Sequence, residues 1–291
     1  MKERFSHVLN VIAEDARFLA AKLHGIGEAT WLSDGYAFDI PFGGDPRAAL
    51  DEARDAAGDV TDINVVPADG RRKKFLVADM DSTIINCECL DELADMAGLK
   101  QKISAITERA MRGEIEFANA LRERVGLLKG LPLEALERVW RERVRLNPGA
   151  KALVATMKAH GARTLLVSGG FTFFTSRVAE AAGFDDHQSN VLIDDGKALT
   201  GDVGEPILGR EAKLAALENA VAKLGIGFSD ALAVGDGAND LTMIQRAGLG
   251  VAYHAKPVVA AAAGASIAHS DLTALLYLQG YREEEIISPS P

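Results

Sequence analysis

Apolar and polar positions divide the chain into two differently patterned stretches. In the first, His7 to Ala13 is a strand-like apolar run. Asp15 to Leu23 has helical spacing, with Phe18, Leu19 and Leu23 on one face and Gly25 closing it. Thr30 to Phe42 predicts one or two strands around the turn Asp34-Gly35. Asp45-Pro46 opens a second helix, with Asp45 as N-cap and Pro46 at the first helical position, and the helix is expected to stop near Gly58. Val60 to Val66 is a further strand. The order β-α-β-(β)-α-β predicts a small ferredoxin-like α+β unit over residues 1–70. The run Ala68 to Lys74 is polar and basic, as expected of a solvated linker.

Beyond the linker the pattern becomes α/β. Phe75 to Ala78 is a short, nearly all-apolar run of the kind buried on both faces of a parallel sheet. Leu165 to Val167, Ala231 to Val234 and Leu249 to Ala252 repeat it. Helical patterns fall between them at Ala150 to His160, Phe173 to Ala182, Glu211 to Leu224 and Asp240 to Ala247. The stretch Leu90 to Arg145 interrupts the alternation with charged, helical spacing, which predicts an all-helical lid inserted after the first core strand. The expected organisation is a Rossmann-like parallel sheet over 71–88 and 147–291, a helical cap over 89–146 and the N-terminal unit over 1–70. Asp194-Asp195-Gly196 predicts a hairpin turn, and Ser288 to Pro291 a frayed tail.

Composition narrows the function classes. The 291 residues carry a net charge of −10, and 48% are apolar, ample for a core without disulfides. That charge argues against binding to nucleic acid or to anionic membranes. The two cysteines, Cys87 and Cys89, are too close for ordinary zinc pairs and form no disulfide framework, so they are expected to pack in a reducing compartment. No apolar run is long enough for a signal peptide or a membrane span, so a cytoplasmic location is expected. The six histidines are scattered singly and are expected to be structural or on the surface.

Candidate chemistry follows the strand ends, where ligands bind in open α/β sheets. Asp79-Met80-Asp81-Ser82-Thr83 places two carboxylates on one loop, suited to a nucleophile and an acid/base, although an ordinary capped turn has the same look. Ser168-Gly169-Gly170 offers a hydroxyl and backbone N–H groups to phosphate oxygens. Lys213 stands on a helix, where a single lysine alone says nothing. Gly235-Asp236-Gly237-Ala238-Asn239-Asp240 offers oxygen ligands to a hard cation such as Mg²⁺. Neither a Gly-x-x-x-x-Gly-Lys-Ser/Thr loop nor a complete Gly-x-Gly-x-x-Gly fingerprint occurs.

In this order the motifs resemble those of the haloacid dehalogenase superfamily of phosphotransferases. Within it, Phe75 to Leu278 is most similar to the phosphoserine phosphatase family. The resemblance implies a Mg²⁺-dependent hydrolysis of phosphoserine, the last step of serine biosynthesis, through an aspartyl phosphate. It makes Asp79 the nucleophile and Asp81 the general acid/base. Mg²⁺ would sit on Asp79, Asp236 and the Asp81 backbone carbonyl, with Asp240 nearby. Ser168 and Lys213 would hold phosphoryl oxygens beside Gly169, Gly170 and Asn239. Glu88 matches the glutamate for the substrate ammonium, Arg124 the lid arginine for its carboxylate, and Met111 and Phe117 apolar lid residues. The implied partner is a small molecule, with no nucleic acid and no membrane. The unit at 1–70 resembles the amino-acid-sensing domains called ACT; a homodimerisation or packing module fits its residues equally.

Overall fold

The computed structural model describes residues 5–57, 60–112 and 114–288. Its first elements are β1 (His7–Ile12), α1 (Ala16–Lys22), β2 (Thr30–Ser33), β3 (Ala37–Phe42), α2 (Pro46–Ala56) and β4 (Asp62–Pro67). The strands form an antiparallel sheet in the order β2-β3-β1-β4, which is the ferredoxin-like arrangement. Alternation along β1 gives the sheet two working faces. Leu9 and Val11 pack with Leu19, Leu23 and Ala53, whereas Val8 and Ile12 join the core of the rest of the chain. Asp45 caps α2 by accepting the Arg47 N–H, as its position predicts. The expected stop at Gly58 lies outside the described residues, as does the tail beyond Ser288.

Two expectations for this part are corrected. Phe18 does not share the buried face of α1: it is 63% exposed, and Lys22 lies over its ring. The basic linker is not simply solvated. Arg71 is half-buried, pairs through both terminal nitrogens with Asp39 on β3, and donates to the Tyr277 and Leu278 carbonyls. A guanidinium can satisfy that many acceptors at once, so the linker clamps the N-terminal sheet to the end of the chain.

The main sheet begins with β5 (Phe75–Ala78). A wide turn over Met80–Ile84 follows, then four helices: α3 (Cys89–Met96), α4 (Lys100–Met111), α5 (Phe117–Leu127) and α6 (Leu133–Glu142). The chain returns through α7 (Ala150–Ala159), β6 (Arg163–Phe171), α8 (Thr172–Ala182) and β7 (Asp186–Asn190). A small hairpin, β8 (Leu192–Asp194) and β9 (Leu199–Val203), turns at Asp195, whose side chain accepts the Lys197 and Ala198 N–H groups. Next come α9 (Arg210–Leu224), β10 (Ala231–Gly235), α10 (Leu241–Arg246), β11 (Leu249–Tyr253), α11 (Pro257–Ala262), β12 (Ala265–Ile267) and α12 (Ala274–Leu278).

The six strands are parallel, in the order β12-β11-β10-β5-β6-β7. Both faces of β5 are buried: Leu76 and Ala78 enter one core cluster, and Phe75 and Val77 the other. That is why the strand reads as a continuous apolar run. β6 continues through Ser168-Gly169-Gly170 to Phe171, beyond the apolar stretch that announces it, and the polar β7 carries no apolar signal at all. The free edge at β12 is covered by β4. The Asn64 side chain donates to the Ser266 carbonyl and accepts its N–H, while Asp62 accepts from Ala268 and Ser270. These side chains take the place of a neighbouring strand at that edge.

Candidate active site

The strand order reverses between β5 and β10: from β5 the chain winds one way to β6 and β7, then returns to β10 on the other side. Loops at such a point diverge and leave a crevice at the carboxyl ends of the strands. Register brings Ala78 beside Val234 and Leu166, so Asp79 and Asp236 follow adjacent strand ends and Ser168 lies beside them, two residues past the Ala78–Leu166 pair. The three motifs predicted to converge do so around a cavity of about 160 Å³. Asp79, Asp81, Ser168 and Asp236 line it from the sheet, and Glu88, Phe117 and Arg124 from the first and third helices of the insertion and their approach.

Asp79 is buried, and its Oδ1 accepts both the Met80 N–H and the Lys213 ammonium at 2.7 Å. Lys213 also reaches Asp240 Oδ1 at 2.5 Å. Carboxylate oxygens of Asp79, Asp236 and Asp240 lie within 4.8 Å of one another. Burial, and then the Asp240 charge, pushes the Asp79 carboxyl well above its ordinary range. The same two causes raise Asp236, against a hydrogen bond from Thr83. Burial opposes the Lys213 ammonium, yet Asp79 and Asp240 hold its pKa above the ordinary lysine value. One ammonium thus faces three crowded carboxylates. That excess of hard, anionic oxygen suits a divalent cation with oxygen ligands.

Asp81 occupies a different setting. Its Oδ1 accepts the Cys89 N–H at 2.9 Å, and its Oδ2 accepts the Ser168 hydroxyl at 3.0 Å. Burial raises its pKa, and these donors restrain the rise. Ser168 in turn accepts the Gly170 N–H, so here its hydroxyl is turned towards Asp81. Close approach leaves little or no room for a side chain at two glycines. A Cβ on Gly170 would lie 3.0 Å from Asp81 Oδ2, and one on Gly235 only 2.4 Å from Asp240 Cγ.

Glu88 precedes α3, and its Oε1 accepts the Ser82 hydroxyl at 2.7 Å. Its carboxylate opens on the cavity and so meets solvent, while protein surrounds it on its other sides. That enclosure, and then the Asp81 charge, raises its pKa to about 7. Arg124 is half-buried on α5 and is braced by the Ala120 carbonyl and the Thr107 hydroxyl. Phe117 lies over Gly169, whose Cβ would sit 3.4 Å from its ring. Asn239 also lines the cavity; Lys213 and Asp240 lie behind it, and the Met111 side chain is outside the described part. Sequence reasoning gave no role to Ser82 and Thr83, although both belong to the first motif, and missed the supports Thr107 and the Cys89 N–H. The only signal for them is nearness to the motifs, because hydrogen-bond partners are chosen by the fold. Cys87 and Cys89 are unpaired, and Cys89 is buried, as expected of packing residues.

A family model described as haloacid dehalogenase-like hydrolase matches residues 76–245. A phosphoserine phosphatase of Polaromonas sp. is 49% identical over 223 residues, covering 74% of this chain and 94% of its own. A crystal structure of a haloacid dehalogenase family hydrolase from Salmonella enterica serovar Typhi superposes with a TM-score of 0.83 at 29% identity, over 96% of this chain and 99% of that one. An unliganded probable phosphoserine phosphatase from Vibrio cholerae gives 0.79 at 30% identity, over 97% and 88%. No helix among the described residues is long and apolar enough to cross a membrane. Sequence, fold and the strand-end carboxylates agree, and the chain belongs to the haloacid dehalogenase-like hydrolases and, among them, to the phosphoserine phosphatase family.

Proposed function

We propose that this chain hydrolyses O-phospho-L-serine to L-serine and phosphate with Mg²⁺ as cofactor. The observation that carries the reading is a single cavity with Asp79 and Asp81 at its floor and both an anion, Glu88, and a cation, Arg124, on its walls. Phosphoserine is a small molecule with the complementary set of charges: a phosphate, an ammonium and a carboxylate.

Asp79 attacks phosphorus as the bond to the serine oxygen breaks, and Asp81 gives that oxygen its proton. Water then attacks the aspartyl phosphate, Asp81 takes the water's proton, and the bond to Asp79 breaks to release phosphate. Contacts to Asp79 are both on Oδ1, which leaves Oδ2 for the attack. Ser168 and Asn239 and the N–H groups of Gly169 and Gly170 steady the phosphoryl oxygens, with Lys213 supplying positive charge. Asp79, Asp236 and the Asp81 carbonyl would hold the metal, with Asp240 beside them; a bound Mg²⁺ offsets the repulsion between carboxylate and phosphate. Glu88 pairs with the substrate ammonium and Arg124 with its carboxylate, while Met111 and Phe117 exclude water. In this reading residues 1–70 form an accessory unit, 71–88 with 147–291 the phosphatase core and 89–146 its cap. Two unpaired cysteines support a reducing, cytoplasmic setting.

The test is phosphate release from L-phosphoserine, with Mg²⁺ or EDTA, beside phosphothreonine, a nucleoside monophosphate and an Arg124→Ala variant. Metal-dependent release that prefers phosphoserine and collapses in the variant is expected. Equal release from all esters, untouched by the variant, removes the substrate assignment.

A further inference from the structure

Ser82 adopts a backbone conformation that few side-chain-bearing residues tolerate. Its φ is 57° and its ψ −1°, in the left-handed region. A Cβ makes that region unfavourable, and strain of this kind persists where the surroundings impose it. Here the Ser82 N–H is tied to the Cys87 carbonyl at 3.3 Å, and the Ile85 N–H to the Met80 carbonyl at 3.0 Å. A glycine would meet the backbone requirement without strain. What it would lack is the hydroxyl, which donates to Glu88 Oε1 at 2.7 Å.

The Glu88 side chain makes no other hydrogen bond among the described residues. It stands at the N-cap of α3 without capping the helix, so its carboxylate is not spent on its own backbone. A glutamate has three rotatable bonds and loses much rotamer freedom when fixed. An ammonium receptor that must first be ordered binds more weakly than one already in place. The Ser82 hydroxyl fixes one oxygen and leaves the other to the cavity, and its bond also favours the charged carboxylate.

We propose that Ser82 is a positioning residue for substrate selection: its left-handed backbone delivers a hydroxyl that holds the Glu88 carboxylate in place to receive the substrate ammonium. The inference rests on the proposed role of Glu88, and the experiment separates the two. Phosphoserine is compared with 3-phosphonooxypropanoate, which has the same phosphate and carboxylate but hydrogen in place of the ammonium. Steady-state kinetics are measured on the full-length wild type, Ser82→Ala, Ser82→Gly and Glu88→Gln.

Ser82→Ala is expected to raise KM for phosphoserine about tenfold, with kcat moving less, and to leave KM for the analogue where it was. Ser82→Gly is expected to show the same selective loss with a melting temperature at or above wild type, because it relieves the backbone as it removes the hydroxyl. That pairing of better folding with poorer selection would not come from a merely structural serine. An equal effect on both substrates, or none on either, in the two Ser82 variants overturns the proposal. If Glu88→Gln keeps the full preference for phosphoserine, the role of Glu88 falls and this inference falls with it.

Discussion

Lys213→Met tests the charge balance of the site. Lys213 is 2% exposed and lies 2.7 Å from Asp79 Oδ1 and 2.5 Å from Asp240 Oδ1. Methionine keeps most of the apolar stem and removes the charge that touches both carboxylates. Breaking a buried ion pair from one side costs about 3–5 kcal/mol, because the opposite charge stays buried and uncompensated. With each kcal/mol worth about 2–4 °C in a chain of this size, the variant should melt roughly 10 °C below wild type in EDTA near pH 8. Magnesium at a hundred times its Kd adds about 2.7 kcal/mol to each form that binds it, so it should narrow the deficit only as far as the variant's uncompensated carboxylates bind it more tightly than the wild type's do. Acid should narrow it too. Asp79 is already pushed up by burial and by Asp240, and it rises further without the ammonium. A carboxyl with a raised folded pKa binds more protons folded than unfolded, so its penalty grows as pH rises from the unfolded value to the folded one. The deficit is therefore full in alkali and shrinks as pH falls through the raised pKa. Calorimetry with and without Mg²⁺, near pH 8 and pH 5.5, measures all of this. In parallel, kcat should fall about 10²–10³-fold and should not recover with metal, because in the proposed mechanism the ammonium also supplies positive charge to the transferring phosphoryl group. An unchanged melting temperature in EDTA near pH 8 would refute the reasoning.

Further outcomes are expected at three other residues. With Glu88 titrating at about 7, kcat/KM for phosphoserine should fall as pH drops through that value, because a neutral carboxyl cannot pair with the ammonium. Glu88→Gln should lose this limb while keeping the one at about pH 6 that belongs to the substrate phosphate, and a pH profile in which both survive contradicts the assignment. The same variant removes a carboxylate disfavoured in the fold, but solvent at the cavity screens it, so the gain in stability near pH 8 should be only about 1 kcal/mol. Arg124→Ala should raise KM for phosphoserine about 10–100-fold and abolish its advantage over phosphoethanolamine, which has no carboxylate; competition between the two esters reads this out. Gly235→Ala puts a Cβ 2.4 Å from Asp240 Cγ and must displace the partner of Lys213, so it should lower stability by about 1–3 kcal/mol and activity with it. A denaturant melt and rate matching wild type would show that Asp240 can move freely.

Much of the architecture was legible because it depends on local pattern. The apolar runs at Phe75–Ala78 and Ala231–Gly235 are buried on both faces, and no other placement would suit them. The Asp45-Pro46 start of α2 and the Asp195 turn depend on side chains that bond to backbone a few residues away. By contrast, β7 is polar and joins the sheet only because β6 offers it an edge. Arg71 resembled every other charge in its linker until Asp39 and two distant carbonyls enclosed it. For the site, the residue types at the strand ends named the chemistry in advance: paired carboxylates, an oxygen-rich loop, a lysine. Their assembly was implied by the rule that parallel strands share one carboxyl edge.

Sequence by itself therefore determined the α/β core, the helical insertion after its first strand and the inventory of groups that can meet a phosphate. Those features rest on periodicity and on functional groups that each residue carries wherever it lies. Only the tertiary structure decided which of those groups are buried together, that Lys213 answers both Asp79 and Asp240, that Ser168 turns to Asp81, and that Ser82 holds Glu88. The reason is physical: burial and neighbouring charge set what a carboxylate can do, and both depend on residues distant in the chain that come together only on folding.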